Sequence, residues 1–181
     1  MEQLVKVICV FVFIYVAPSF AQDTIHWDKQ RPLAWEDFRG VPEDNAIESA
    51  QAATGVALAF QYREDLENNT WEYIYDVHSF FLTDLSWYKK QDINYYLLEH
   101  EQTHFNISEL FARKLRYELS KLVPSESVGE EAEEIYNTVQ NQHSILQNKY
   151  DKETKHSLII DRELEWQKQI KDSLKHYNDW K

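Results

Sequence analysis

With 181 residues, a net charge of −12 and one cysteine, the chain has material for one domain with its own core and too little for two of ordinary size. No basic cluster is present to neutralise phosphates, so nucleic acid is excluded as an expected partner. An aromatic content of 14% with only three glycines indicates a packed domain rather than a disordered tail.

At the N-terminus, Lys6 precedes an apolar run from Val7 to Val16, which is short for a bilayer span, and Ser19-Phe20-Ala21 has the small-x-small form of a cleavage site. Residues 1–21 therefore read as a signal peptide and residues 22–181 as a single domain, secreted or periplasmic, with no stable membrane insertion after cleavage. The only cysteine, Cys9, leaves with the signal. Any metal ligands in the mature chain must then be His, Asp, Glu or water.

The segment from Ile25 to Gly40 is rich in aromatics and broken by Pro32 and Gly40, so Trp27, Leu33, Trp35 and Phe38 are expected to close one end of the core from a loop and a short helical turn. After a polar connector, Thr54 to Tyr62 places Val56, Leu58, Phe60 and Tyr62 on one face. Thr70 to Leu82 alternates Trp71, Tyr73, Tyr75 and Val77 against Glu72, Asp76 and His78. Period-two alternation of this kind marks half-buried strands, and the polar stretch from Glu64 to Asn69 between them predicts an antiparallel hairpin. His78 falls on the polar face.

From Asp92 to Leu122 there is no Pro or Gly, Asp92 and Asn94 are both candidate N-caps, and Leu98, Phe105, Phe111, Leu115, Leu119 and Leu122 recur at helical spacing. Pro124 and Gly129 break the pattern. A second helix is expected from about Glu130 to Lys149, with Ile135, Val139 and Leu146 inward and an acidic first turn suited to the helix dipole. A third is expected from about Asp161 to Tyr177, with Leu164, Ile170 and Leu174 as its core stripe.

The first helix carries His100, Glu101 and His104 in the order H-E-x-x-H. Residues four apart share a helix face, so both imidazoles can reach one zinc ion while Glu101 stands beside its open side. A catalytic zinc takes three protein ligands, and neither familiar spacing supplies the third: Ile107 and Leu110 stand where the extended pattern needs Gly and His, and no glutamate follows at the thermolysin-like distance. The candidates are His143, His156, Glu109, Glu126 and Glu130. His156 ranks first because YDKETKHS lies between two expected helices and can fold back over the first, whereas His143 reads as a solvent-facing residue among glutamines.

The pieces PLAWEDFRG, an Ala-Thr pair before the first strand, LLEHEQTHFNISELFAR and YDKETKH followed by a Trp-Gln pair resemble the bacterial domain-of-unknown-function 922 family, described as predicted secreted zinc-dependent proteases. The resemblance implies zinc binding by His100 and His104, catalysis by Glu101 and a role for His156. Asn106 and Ser157 stand where it leads one to expect Asp and Gly.

The fold class read from these signals is α+β and zincin-like, a small antiparallel sheet packed on a long active-site helix with two further helices. The expected function is a zinc-dependent metallopeptidase acting on a peptide or protein, with Zn2+ on His100, His104 and His156, Glu101 as general base toward the metal's water, and Tyr150 steadying the oxyanion. The alternatives are a non-catalytic cell-envelope binding protein and a zinc amide hydrolase with a non-protein substrate. A fourth protein ligand closing the site would favour the former.

Overall fold

The structure is a computed structural model that describes residues 23–42 and 44–181, so the signal-peptide expectation for residues 1–21 lies outside the described residues. The hairpin forms as the alternation predicts: β3 (Thr54–Asp65) and β4 (Thr70–Leu82) pair antiparallel, from Thr54 opposite Phe81 to Asp65 opposite Thr70. The ladder extends past Tyr62 because Asp65 itself builds the turn, its carboxylate accepting the backbone N–H groups of Glu67 and Asn68. β1 (Thr24–His26) adds to the far edge of β4, giving the order β1, β4, β3. Separately, β2 (Ala50–Gln51) pairs with β5 (Trp87–Tyr88).

Against the apolar face of this sheet lies α1 (Tyr95–Leu119), whose first turn is capped by Asn94, the side chain accepting the Leu97 N–H at 3.0 Å. Ile107, Leu110, Phe111, Leu115 and Leu119 pack with Val56, Leu58, Phe60 and Val77 in one continuous core. The helix is covered on its other sides by α2 (Val128–Thr154) and α3 (Ile160–His176). Its contacts fix both directions. His100, His104 and Ser108 meet Asp151, Gln147 and His143 in falling order, so α2 runs antiparallel to α1. His100 meets Glu163 and Arg113 meets the carbonyl of Leu174, so α3 runs parallel to it.

A second cluster of Leu33, Phe38, Phe81 and Phe105, with Trp27 and Trp35 packed against it, closes the end of the core as the aromatic N-terminal segment predicts. This strap is pinned to α1 by polar contacts one turn apart: Leu33 N–H donates to Gln102 Oε1 at 2.7 Å and Trp27 Nε1 to Asn106 Oδ1 at 2.8 Å. An amide oxygen thus serves at position 106 where a carboxylate was expected.

Two helix readings are corrected. Leu164 is 54% exposed rather than part of the α3 stripe; Ile170 is buried as expected, and Trp166 and Glu163 are buried where Leu164 is not. And α2 does not stop at Lys149. With no Gly or Pro to break it, it continues through Thr154 and ends only where Lys155 turns left-handed at φ 51°. Most of YDKETKHS is therefore helix. Among the described residues, no helix is long and apolar enough to cross a membrane.

Candidate metal centre

Where the start of α1, the end of α2 and the start of α3 meet, three ligand-type atoms converge. Asp151 Oδ1 lies 3.1 Å from His100 Nε2 and 2.8 Å from His104 Nε2, and the two Nε2 atoms are 3.2 Å apart. His100, His104 and Asp151 form a group whose ligand atoms all lie within 4.8 Å of one another. His100 is buried; His104 and Asp151 have side chains 13% and 27% exposed, so the group opens to solvent on one side.

Each imidazole is held from behind. His100 Nδ1 faces Glu163 Oε1 at 2.8 Å, and His104 Nδ1 faces Gln147 Oε1 at 2.6 Å. Oxygen acceptors at both Nδ1 atoms suit protons there, which leaves the two Nε2 atoms, both facing Asp151, as the positions a metal would take in exchange for a proton. The Gln147 amide is oriented in turn by donating to the His104 carbonyl at 3.0 Å. His143 Nε2 lies 3.1 Å from its nitrogen and 2.9 Å from Ser108 Oγ.

The electrostatics call for positive charge at this point. Burial opposes a charge on His100, but hydrogen bonds to Asp151 and Glu163 outweigh it and raise its pKa to about 9. Burial likewise raises the pKa of Asp151, but the two histidines outweigh it and hold its carboxyl well below the usual range. A divalent cation held by the two Nε2 atoms and Asp151 would supply positive charge at the place where His100 otherwise carries its extra proton, and the donor set of two imidazoles and one carboxylate is suited to zinc. The residues fit the metal.

Glu101 is 3% exposed, and its Oε2 accepts the backbone N–H of Ala52 at 2.7 Å, from the link between β2 and β3. Burial raises its pKa, against the nearby histidines and the Ala52 hydrogen bond, which lower it. It is a carboxylate with enhanced proton affinity beside the metal-type group.

Several sequence-based assignments change. Asp151, not His156, supplies the third converging atom; His156 lies beside the group, its Nδ1 3.6 Å from Asp151 Oδ1. Tyr150 does not face a substrate: it is 0% exposed, its ring stacks on His100 and its hydroxyl donates to Glu163 Oε2 at 2.8 Å. His143 is buried rather than solvent-facing, and burial, with the nearby His104, lowers its pKa to about 4. Glu109 is consumed by Arg113 and Ser79, each at 2.8 Å, and Glu126 and Glu130 are exposed. His78 stays on the sheet's polar side near Asp76 and His26.

The fold is thus α+β, with a His, His, Asp group capable of holding a cation between the central helix α1 and α2. Residues 85–157, which carry His100, Glu101, His104, Gln147, Asp151 and His156, match the sequence model of the family described as bacterial protein of unknown function (DUF922). The family resemblance read from the sequence is borne out over that segment, and the description assigns no activity. No curated protein and no solved structure matches the chain.

Proposed function

We propose that the protein is a secreted or periplasmic zinc-dependent metallopeptidase of zincin-like architecture, with His100, His104 and Asp151 as the zinc ligands and Glu101 as the general base. The observation that carries this reading is the convergence of His100 Nε2, His104 Nε2 and Asp151 Oδ1 with both Nδ1 atoms tied back, directly beside a buried glutamate. Three protein ligands, the number typical of a catalytic rather than a structural zinc, also favour catalysis over a purely structural metal.

Bound zinc would supply Lewis acidity to the scissile carbonyl and make a water molecule more acidic. Glu101 takes a proton from that water as the oxygen forms its bond to the carbonyl carbon. As the C–N bond breaks, the carbon–oxygen double bond reforms and the same proton passes from Glu101 to the leaving amine. Raised proton affinity suits a group that must accept and then return one proton. The Ala52 N–H holds one carboxylate oxygen while the other remains for the proton. Glu163 and Gln147 keep the imidazoles in the ligating tautomer.

The test is zinc analysis of the purified mature protein together with cleavage of a mixed peptide pool by the native chain and by Glu101→Gln. The reading expects about one zinc per chain in both and a loss of several orders of magnitude in cleavage for the variant. A native chain that neither retains nor rebinds zinc contradicts it, and so does a fully active Gln variant.

A further inference from the structure

We infer that His156 is a substrate-contacting residue, standing beside the metal ligands and donating a hydrogen bond to the carbonyl oxygen of the bound amide as that oxygen gains negative charge. The inference rests on the peptidase reading above. Its first support is position. The His156 ring centroid is 6.4 Å from that of His100, and Nδ1 is 3.6 Å from Asp151 Oδ1, adjacent to the group but outside it. The side chain is 52% exposed, against 2% for His100 and 27% for Asp151, so it belongs to the solvent side, from which a substrate arrives.

The backbone is the second support. Lys155, His156 and Ser157 have φ of 51°, 52° and 70°, three successive left-handed residues without a glycine. Such a run persists only where the surroundings over-determine it, and it is a common mark of functional sites. Here the His156 N–H donates to the carbonyl of Asp151 at 3.2 Å, and the Ile159 N–H to that of Thr154 at 2.9 Å. The turn that ends α2 thus fixes His156 to the same residue that offers the third ligand.

Third, the chemistry needs a donor that Tyr150 does not supply, since its hydroxyl is committed to Glu163 in the interior. When water adds to the amide carbon, the carbonyl π pair moves onto oxygen. When the amine leaves, that pair returns and the double bond reforms. An imidazole N–H within reach of this oxygen would stabilise the charge as a hydrogen-bond donor, with no proton transferred.

The experiment compares native protein, His156→Ala and His156→Gln for zinc content, zinc affinity by chelator competition, kcat and KM on a cleaved peptide, and binding of inorganic phosphate as a tetrahedral oxyanion to the zinc-loaded chain. The expected result is unchanged metal content, zinc affinity within about threefold, and kcat reduced roughly 100-fold in the Ala variant with KM little changed, partly restored by Gln, which keeps an N–H donor. Phosphate binding should weaken about tenfold in the Ala variant. Loss of zinc from His156→Ala would make His156 a ligand and overturn the inference, as would native kcat. If the native chain cleaves no peptide, the peptidase reading fails separately, and equal phosphate affinity in native and Ala proteins then overturns the role of His156.

Discussion

Glu163 Oε1 lies 2.8 Å from His100 Nδ1, across 63 positions of sequence, and joins α3 to the metal-type group at the head of α1. Its second oxygen accepts the Tyr150 hydroxyl at 2.8 Å, so a buried carboxylate, a phenol and an imidazole from three helices hold one another. Glu163 is only 1% exposed and His100 2%, so this contact is shielded from water. Because a carboxylate accepts more strongly than an amide, Glu163→Gln should weaken zinc binding by about 10- to 100-fold, and Gln147→Leu by less. Chelator competition on folded variants measures both, and equal affinity in native protein and Glu163→Gln would show that the contact does not prepare His100.

The metal-free protein should have a stability maximum near neutral pH. His100 has a folded pKa raised to about 9 from 6.5, so its contribution is fully present below pH 6.5 and is lost as pH rises through 9, a change on the order of 3 kcal/mol. His143 has a folded pKa lowered to about 4, so its contribution is present above pH 6.5 and is lost as pH falls toward 4, by a similar order. Thermal unfolding from pH 4 to 10 tests this. Zinc should flatten the alkaline limb by replacing the proton on His100, and His143→Gln should flatten the acid limb. A metal-free chain equally stable at pH 7 and pH 10 would contradict the first assignment.

Ser157 sits at φ 70°, a conformation that costs an L-residue about 1 to 2 kcal/mol and glycine very little. Ser157→Gly should therefore raise the midpoint of thermal unfolding by roughly 2 to 4 °C, in keeping with about 1 kcal/mol in a domain of this size. A lowered midpoint would mean that the serine side chain contributes more than its backbone costs.

Leu115 and Leu164 were both read from the sequence as core residues, yet they are 0% and 54% exposed. Leu115→Ala should cost about 2 to 5 kcal/mol, and Leu164→Ala no more than about 0.5 kcal/mol. Chemical denaturation of the two variants checks this directly, and comparable losses would place Leu164 in the core.

The contrast between these two leucines shows where sequence periodicity is informative. The hairpin and α1 were legible because β3 and β4 bury one face and because α1 has a cap, no breaker and apolar residues at helical steps. On α3, Ile170 and Leu174 pack inward as read, but the aromatic Trp166 and the paired Glu163 share that face, and reading only the aliphatic residues put Leu164 there in error. Asp151 was missed because α2 ends at Lys155, whose left-handed φ announces itself with neither Gly nor Pro, so the YDKET stretch read as loop. A signal did exist: His143, Gln147, Asp151 and Thr154 recur at three- and four-residue steps, a polar stripe on a helix whose neighbouring inward positions are apolar. Glu163 had none, since its partner is set by the parallel docking of α3 on α1 rather than by local pattern.

The most direct test of the account is anomalous diffraction at the zinc edge from crystals of the protein grown with zinc. The account predicts one strong peak per chain, about 2.0 to 2.2 Å from His100 Nε2, His104 Nε2 and a carboxylate oxygen of Asp151, with His156 outside bonding distance. A peak that includes His156 in place of Asp151, or no peak between the two histidines, would contradict it.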